Sequence, residues 1–170
     1  FCPTIYGKDQ DEMIFASSRE SSTGTDEDPI TGQAFMDLFR SEQDKKGRWS
    51  EPEPLGNTVC TEHNEGSACF DSKGKTLFFT RCMEMDGSNL ACDIYFAKKQ
   101  GNGFGASMAL GLVNRDENDS SQVGHPALSP DDQYLLFSSD LPGGVGGKDL
   151  WYVKAEDGTF VGAVPQHLGE

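Results

Sequence analysis

An aspartate followed by one aliphatic and one aromatic residue occurs three times at a constant interval of 56 residues: Asp37-Leu38-Phe39, Asp93-Ile94-Tyr95 and Asp149-Leu150-Trp151. Three further anchors keep the same order around each of them. Upstream lie the apolar runs Met13-Ile14-Phe15, Leu77-Phe78-Phe79 and Leu135-Leu136-Phe137. Downstream lie Trp49, Phe104 and Phe160, and then Leu55-Gly56, Leu110-Gly111 and Leu168-Gly169. A unit of this length, built from short β-branched and aromatic runs between turn residues, points to four-stranded propeller blades rather than to a helical solenoid. No apolar series at helical spacing lasts longer than about two turns, so an all-β chain is expected. The units run approximately over 1–56, 57–114 and 115–170.

The third unit shows the pattern most fully. A strand from Gly124 to Leu128 leads into the turn Ser129-Pro130-Asp131-Asp132, and Tyr134–Ser139 reads as a buried strand. The glycines of Gly143-Gly144-Val145-Gly146-Gly147 permit a tight crossover into Lys148–Val153, and a last strand is expected around Phe160-Val161. In the second unit, Ser67–Phe70 precedes the turn Asp71-Ser72-Lys73-Gly74-Lys75, whose Asp and Ser side chains bond their own backbone. The first unit has strands at Pro3–Tyr6, Met13–Ser17 and Met36–Arg40 and an edge strand near Trp49–Pro52. A long acidic segment, Arg19–Ala34, stands where the third unit has its glycines. Propellers close with about four to eight blades. Three units therefore predict part of a larger or incomplete ring, and a chain that opens at Phe1-Cys2-Pro3, inside a first strand, reads as a piece of a longer one.

With 28 acidic against 14 basic residues the formal charge is −14, which argues against a nucleic-acid backbone or an anionic membrane surface as partner. No stretch has the apolar length of a membrane-spanning helix. Among the five cysteines, Cys82 and Cys92 end one predicted strand and begin the next. In a hairpin they face each other at disulfide distance, which implies an oxidising compartment. Cys60 and Cys69 form a second candidate pair, and Cys2 is left over for a segment outside this sequence. The spacings lack the short Cys-x-x-Cys pairs of zinc ribbons.

Catalytic and ligand-binding patterns fail at specific points. Gly147-Lys148 is followed by Asp149 and a strand, whereas a phosphate-gripping loop needs Gly-Lys-Ser/Thr opening a helix. No serine sits in a Gly-x-Ser-x-Gly elbow, and His63, His125 and His167 occupy unrelated positions in the repeat. His63 with Glu62 and Glu65 invites a metal or acid–base reading, but the third unit has no matching chemistry there, which favours a structural contact. Thr25-Asp26-Glu27-Asp28 suits calcium by its clustered carboxylates, yet lacks the alternating ligands, central Gly and terminal Glu of an EF-hand, so a solvated loop is expected. No cofactor is called for.

The succession of strand, Ser-Pro-Asp-Asp turn, apolar strand ending Phe137-Ser138-Ser139, Gly-Gly-x-Gly-Gly-x-Asp-Leu-Trp and terminal Leu-Gly resembles the TolB-type β-propeller repeat. The run Phe79-Thr80-Arg81-Cys82 with Cys92-Asp93-Ile94-Tyr95 is similar to the version found in large Bacteroidetes envelope proteins that end in an OmpA-like domain, among them periplasmic components of the type IX secretion system. The first unit departs by its acidic insertion and by lacking the Ser-Pro-Asp turn. The resemblance implies a non-enzymatic scaffold for protein–protein contact, periplasmic and associated with the outer membrane, whose partners are other envelope or secretion proteins and which meets peptidoglycan through a domain elsewhere. Propeller platforms bind through loops at the ends of the central channel. Asp26, Glu27 and Asp28 in the long loop and Met83 and Met85 at the hairpin tip are the candidate contact residues. A propeller cap on a peptidase and a glycan- or calcium-binding propeller are the alternatives.

Overall fold

The computed structural model describes residues 1–7, 9–23, 32, 34–84, 90–114 and 121–169. Among them there are strands and turns and no helix. Sheet 1 is β1 (Thr4–Tyr6), β2 (Glu12–Ser17), β3 (Asp37–Glu42) and β4 (Glu53–Pro54), hydrogen-bonded in that order. Sheet 2 is β5 (Asn64–Phe70), β6 (Thr76–Glu84) and β7 (Leu90–Gln100), whose outer edge pairs with the stubs β8 (Gly103–Phe104) and β9 (Met108–Ala109). Sheet 3 is β10 (Val123–Leu128), β11 (Tyr134–Ser139), β12 (Asp149–Lys154) and β13 (Gln166–His167). Every named strand pair is antiparallel, and each sheet is contiguous in sequence. The first strands adjoin across the sheets, β5 contacting both β1 and β10, which places them on the inner side.

The repeat anchors occupy equivalent places. Phe39, Tyr95 and Trp151 stand opposite Phe15, Phe79 and Phe137 on one side and opposite Pro54, Ala109 and His167 on the other. Leu55, Leu110 and Leu168 each donate a backbone N–H to the carbonyl of the middle anchor residue, Leu38, Ile94 and Leu150 respectively. The outer strand of each unit is therefore the pair of residues just before Leu-Gly. This corrects two expectations. The last strand is Gln166–His167, not Phe160-Val161, and the edge of sheet 1 is Glu53–Pro54, not the residues up to Pro52. Trp49, Phe104 and Phe160 instead mark the returning arm of the hairpin that leaves the third strand, closed by the bridges Gln43↔Trp49, Lys99↔Phe104 and Glu156↔Thr159. That segment turns back at once, so its aromatic residue has no room to extend an edge strand.

Alternation along the strands assigns each face to a neighbour. Between sheets 1 and 2 the core holds Ile14, Ala16 and Leu38 from one side and Ala68, Leu77, Phe79 and Phe104 from the other. Between sheets 2 and 3 it holds Phe78, Ile94 and Leu110 against Leu135, Phe137, Trp151, Val153 and Phe160. Sheet 2 is packed between the other two, which is why Leu77-Phe78-Phe79-Thr80 is buried without alternation. The outer faces of sheets 1 and 3 differ. On sheet 1, Phe15 and Phe39 stack at 6.2 Å between centroids and the Arg19 guanidinium lies 5.0 Å over the Phe39 ring. On sheet 3, Leu150 is 56% exposed, although its counterparts Leu38 and Ile94 are 0% and 1% exposed.

Turns add side-chain ties between sheets. Ser129 Oγ donates to Asp131 Oδ1 at 2.6 Å and receives the Tyr134 N–H at 2.9 Å, closing the Ser-Pro-Asp-Asp turn. Asp132, at φ 57°, points its carboxylate at the next turn along, where Ser72 gives it an N–H at 2.8 Å and an O–H at 2.6 Å. Leu135→Ala, which empties a fully buried position between sheets 2 and 3, is expected to cost about 2–5 kcal/mol. Leu150→Ala, at the chemically identical but exposed position, is expected to stay within about 0.5 kcal/mol. Urea denaturation of the two variants checks the difference.

Candidate interaction surface

The connections from β2 to β3, β6 to β7 and β11 to β12 all emerge at one end of the sheets, as the antiparallel order requires. The anchor aspartate begins the third strand at this end in sheets 1 and 3, whereas Asp93 lies three residues inside β7. Asp149 Oδ2 accepts N–H groups from Val145 at 2.8 Å and Gly146 at 3.0 Å, and Asp37 Oδ2 accepts the Thr23 N–H at 2.5 Å. The carboxylate thus holds the incoming connection by its backbone. A Cβ on Gly144 would stand 2.2 Å from Asp149 Oδ2, so the close approach of loop to carboxylate requires glycine there. These donors keep the Asp149 carboxyl below the usual carboxylate range, with the Gly146 N–H the largest contributor.

The second connection is an extended arm. β6 and β7 pair beyond the length of the neighbouring hairpins by Cys82↔Cys92, Met83↔Ala91 and Glu84↔Leu90. Cys82 and Cys92 are joined in a disulfide with Cα atoms 4.0 Å apart, as the hairpin spacing predicts. The strands run further than expected, so Met83 lies within β6, where its Sδ meets the Tyr95 hydroxyl at 4.0 Å. The other contact candidates, Asp26, Glu27, Asp28 and Met85, lie outside the described residues. Beside the arm, between sheets 2 and 3, opens a cleft of ≈ 300 Å³ walled by Met36, Leu90, Val123, His125 and the disulfide. Lys148 stands at its rim and donates to Gln122 Oε1 at 2.6 Å.

An ion pair supports the base of the arm. Arg81 Nε donates to Glu65 Oε1 at 2.7 Å, Nη2 donates to the Val59 carbonyl at 2.7 Å, and the guanidinium lies 4.4 Å over the Tyr95 ring. Glu65 also receives the Thr61 hydroxyl at 2.6 Å and the Thr61 N–H at 3.1 Å. Burial nevertheless pushes its carboxyl above the usual range, against the lowering effect of Thr61 and Arg81. The suggested grouping of His63, Glu62 and Glu65 is not formed as a site: Glu65 turns into the core while Glu62 stays exposed. The signal that would have found the pair is register, because Glu65 and Arg81 are directly opposed on β5 and β6.

Cys60 and Cys69 are free, which corrects the second pairing. They sit on opposite faces of sheet 2. Cys60 donates its thiol to the Leu38 carbonyl of sheet 1 at 3.4 Å, whereas Cys69 packs against the core shared with sheet 3. Burial pushes each thiol up to about 12. Cys2 is exposed and receives the Ser67 hydroxyl at 3.2 Å. His167 packs on Trp151 at 5.1 Å, on the opposite edge of sheet 3 from His125. Among the described residues no three His, Cys, Asp or Glu side chains gather as a metal site, and no helix is long and apolar enough to cross a membrane.

No family model and no curated protein matches the sequence. The structure is similar to the crystal structure of TolB from Acinetobacter baumannii, with a TM-score of 0.57 over 98% of this chain and 14% identity. The fold is that of TolB-like propeller blades. The chain spans 31% of the TolB chain's length, and the likeness carries the blade architecture alone.

Removing Arg81 leaves the Glu65 carboxylate buried without its cation, so Arg81→Met is expected to destabilise by about 3–5 kcal/mol, measured by chemical denaturation. Cys82→Ser with Cys92→Ser opens a staple across a short loop and is expected to cost up to about 3 kcal/mol. Hydrogen exchange is expected to show the loss concentrated in β6 and β7 beyond Thr80 and Ile94.

Proposed function

We propose that these TolB-like blades are a non-enzymatic scaffold that binds another protein through the end of the sheets bearing the long loop and the stapled arm. The observation that carries this reading is the arm itself. A two-stranded projection in water is marginal unless covered or stapled, and this one is both paired beyond the sheet and cross-linked at its root. A rigid projection next to an apolar cleft loses little conformational freedom when it docks.

The disulfide supports an oxidising compartment, and together with the TolB-type repeat it supports a periplasmic protein of the cell envelope. The finer reading is a component of an outer-membrane-associated assembly such as the type IX secretion system, with peptidoglycan contact made by a different domain. The bare outer face of sheet 3, where Leu150 is exposed and its two counterparts are not, supports a place within a larger ring in which a further blade covers that face.

The test is capture from solubilised envelope fractions by the tagged protein, read by mass spectrometry. Replacing Met83 and Met85 with serine, and Asp26, Glu27 and Asp28 with serine, is expected to lower capture of specific partners about tenfold or more while leaving the melting temperature unchanged. Undiminished capture by both variants together overturns the assignment of this surface.

A further inference from the structure

Glu65 of β5 and Asp37 of β3 belong to different sheets and meet at the junction between them. The Glu65 N–H donates to the Met36 carbonyl at 2.7 Å, and the Met36 N–H donates to Asn64 Oδ1 at 2.9 Å, which draws the start of β3 against β5. Both acidic residues are 0% exposed, and their side chains lie within hydrogen-bonding reach of each other. Asp37 Oδ2 accepts the Thr23 N–H, but Oδ1 is buried and meets no N–H or O–H donor among the described residues. Arg81 is the cation bound to Glu65. Two carboxylates with one guanidinium at a buried junction leave a negative charge uncompensated, and neighbouring like charges disfavour each other's ionisation.

We propose that Asp37 and Glu65 share a proton, and that this proton is a pH-sensitive tie between sheet 1 and sheet 2. It supplies the donor that Asp37 Oδ1 lacks and brings the cluster to neutrality with Arg81. Other charged and titratable groups border the pair. The Cys60 thiol faces both acids from the connection after β4 and stays neutral through the physiological range, since burial pushes it up to about 12. Arg19, which donates to Ser17 Oγ across β2 from Asp37, and Asp93, opposite Arg81 on β7, stand at the margins.

The sign follows from burial, which raises both carboxyls above their unfolded values. The folded chain then holds a proton that the unfolded chain has released. The contribution is complete below the ordinary carboxylate range and is lost as pH rises through the folded value. Across that window the unfolding constant grows up to about tenfold per pH unit for one bound proton.

The experiment is chemical denaturation of the wild-type chain, Asp37→Asn and Asp37→Ala between about pH 4 and 9, chosen to bracket the shifted carboxyls. It is joined by infrared spectra of the folded proteins in the region of the protonated carboxyl stretch. In Asp37→Asn the amide oxygen still accepts from Thr23, and the amide NH₂ donates permanently to Glu65. That variant is expected to flatten the pH profile relative to wild type and to be at least as stable at the upper end. The wild-type spectrum is expected to keep a carboxyl band above the ordinary carboxylate range that Asp37→Asn lacks. Asp37→Ala, with neither proton nor amide, is expected to be less stable than Asp37→Asn at every pH. Parallel wild-type and Asp37→Asn profiles, or absence of the band, overturn the shared proton. Should Asp37→Ala fail to fold, the other two proteins and the spectra decide the matter.

Discussion

Everything in this structure depends on one constraint: each sheet must bury a face it cannot bury by itself. An isolated four-stranded meander of this size leaves too much apolar surface in water to stand alone. Stacking satisfies it, and the alternation of the strands tells each residue which neighbour it serves. The middle sheet, pressed from both sides, carries continuous apolar runs, while the terminal sheets carry apolar residues on one face and mixed ones on the other. The polar ties between sheets, Asp132 to Ser72 and Glu65 to the Met36 backbone, fix the rotation of one sheet on the next once packing has chosen the faces.

Much of this was legible in the chain. The spacing of the Asp-Leu-Phe, Asp-Ile-Tyr and Asp-Leu-Trp anchors gave the number of units, and their aromatic residues do occupy equivalent positions. The Cys82–Cys92 bridge could be read because a hairpin sets its own register, leaving the two residues opposite each other whatever surrounds them. The outer strands could not be read. They are two residues long, Glu53–Pro54, Met108–Ala109 and Gln166–His167, and their pairing is decided by where the preceding hairpin ends rather than by any local preference for extended structure.

The site was legible to a lesser degree. The strand order shows which connections leave the sheets at one end, but the Glu65–Arg81 pair and the Asp37 junction were hidden. They depend on which face of β5 turns toward sheet 1, a tertiary fact that the neighbouring His63 and Glu62 positively misdirect. The same reasoning separates Cys60 from Cys69. Nine residues apart in sequence, they are divided by the thickness of a sheet.

The carboxylate that starts the third strand of sheets 1 and 3 has a broader meaning. In sheet 1 it grips a segment spanning 18–36, and in sheet 3 it grips a glycine-rich one spanning 140–148. Because the grip is on backbone N–H groups, it does not depend on the length of what passes between the strands, although Gly144 beside Asp149 has no room for a side chain. Insertions at that point can grow or shrink while the underlying stack of sheets keeps its geometry. The end of the sheets that bears these connections can therefore vary without renegotiating the core.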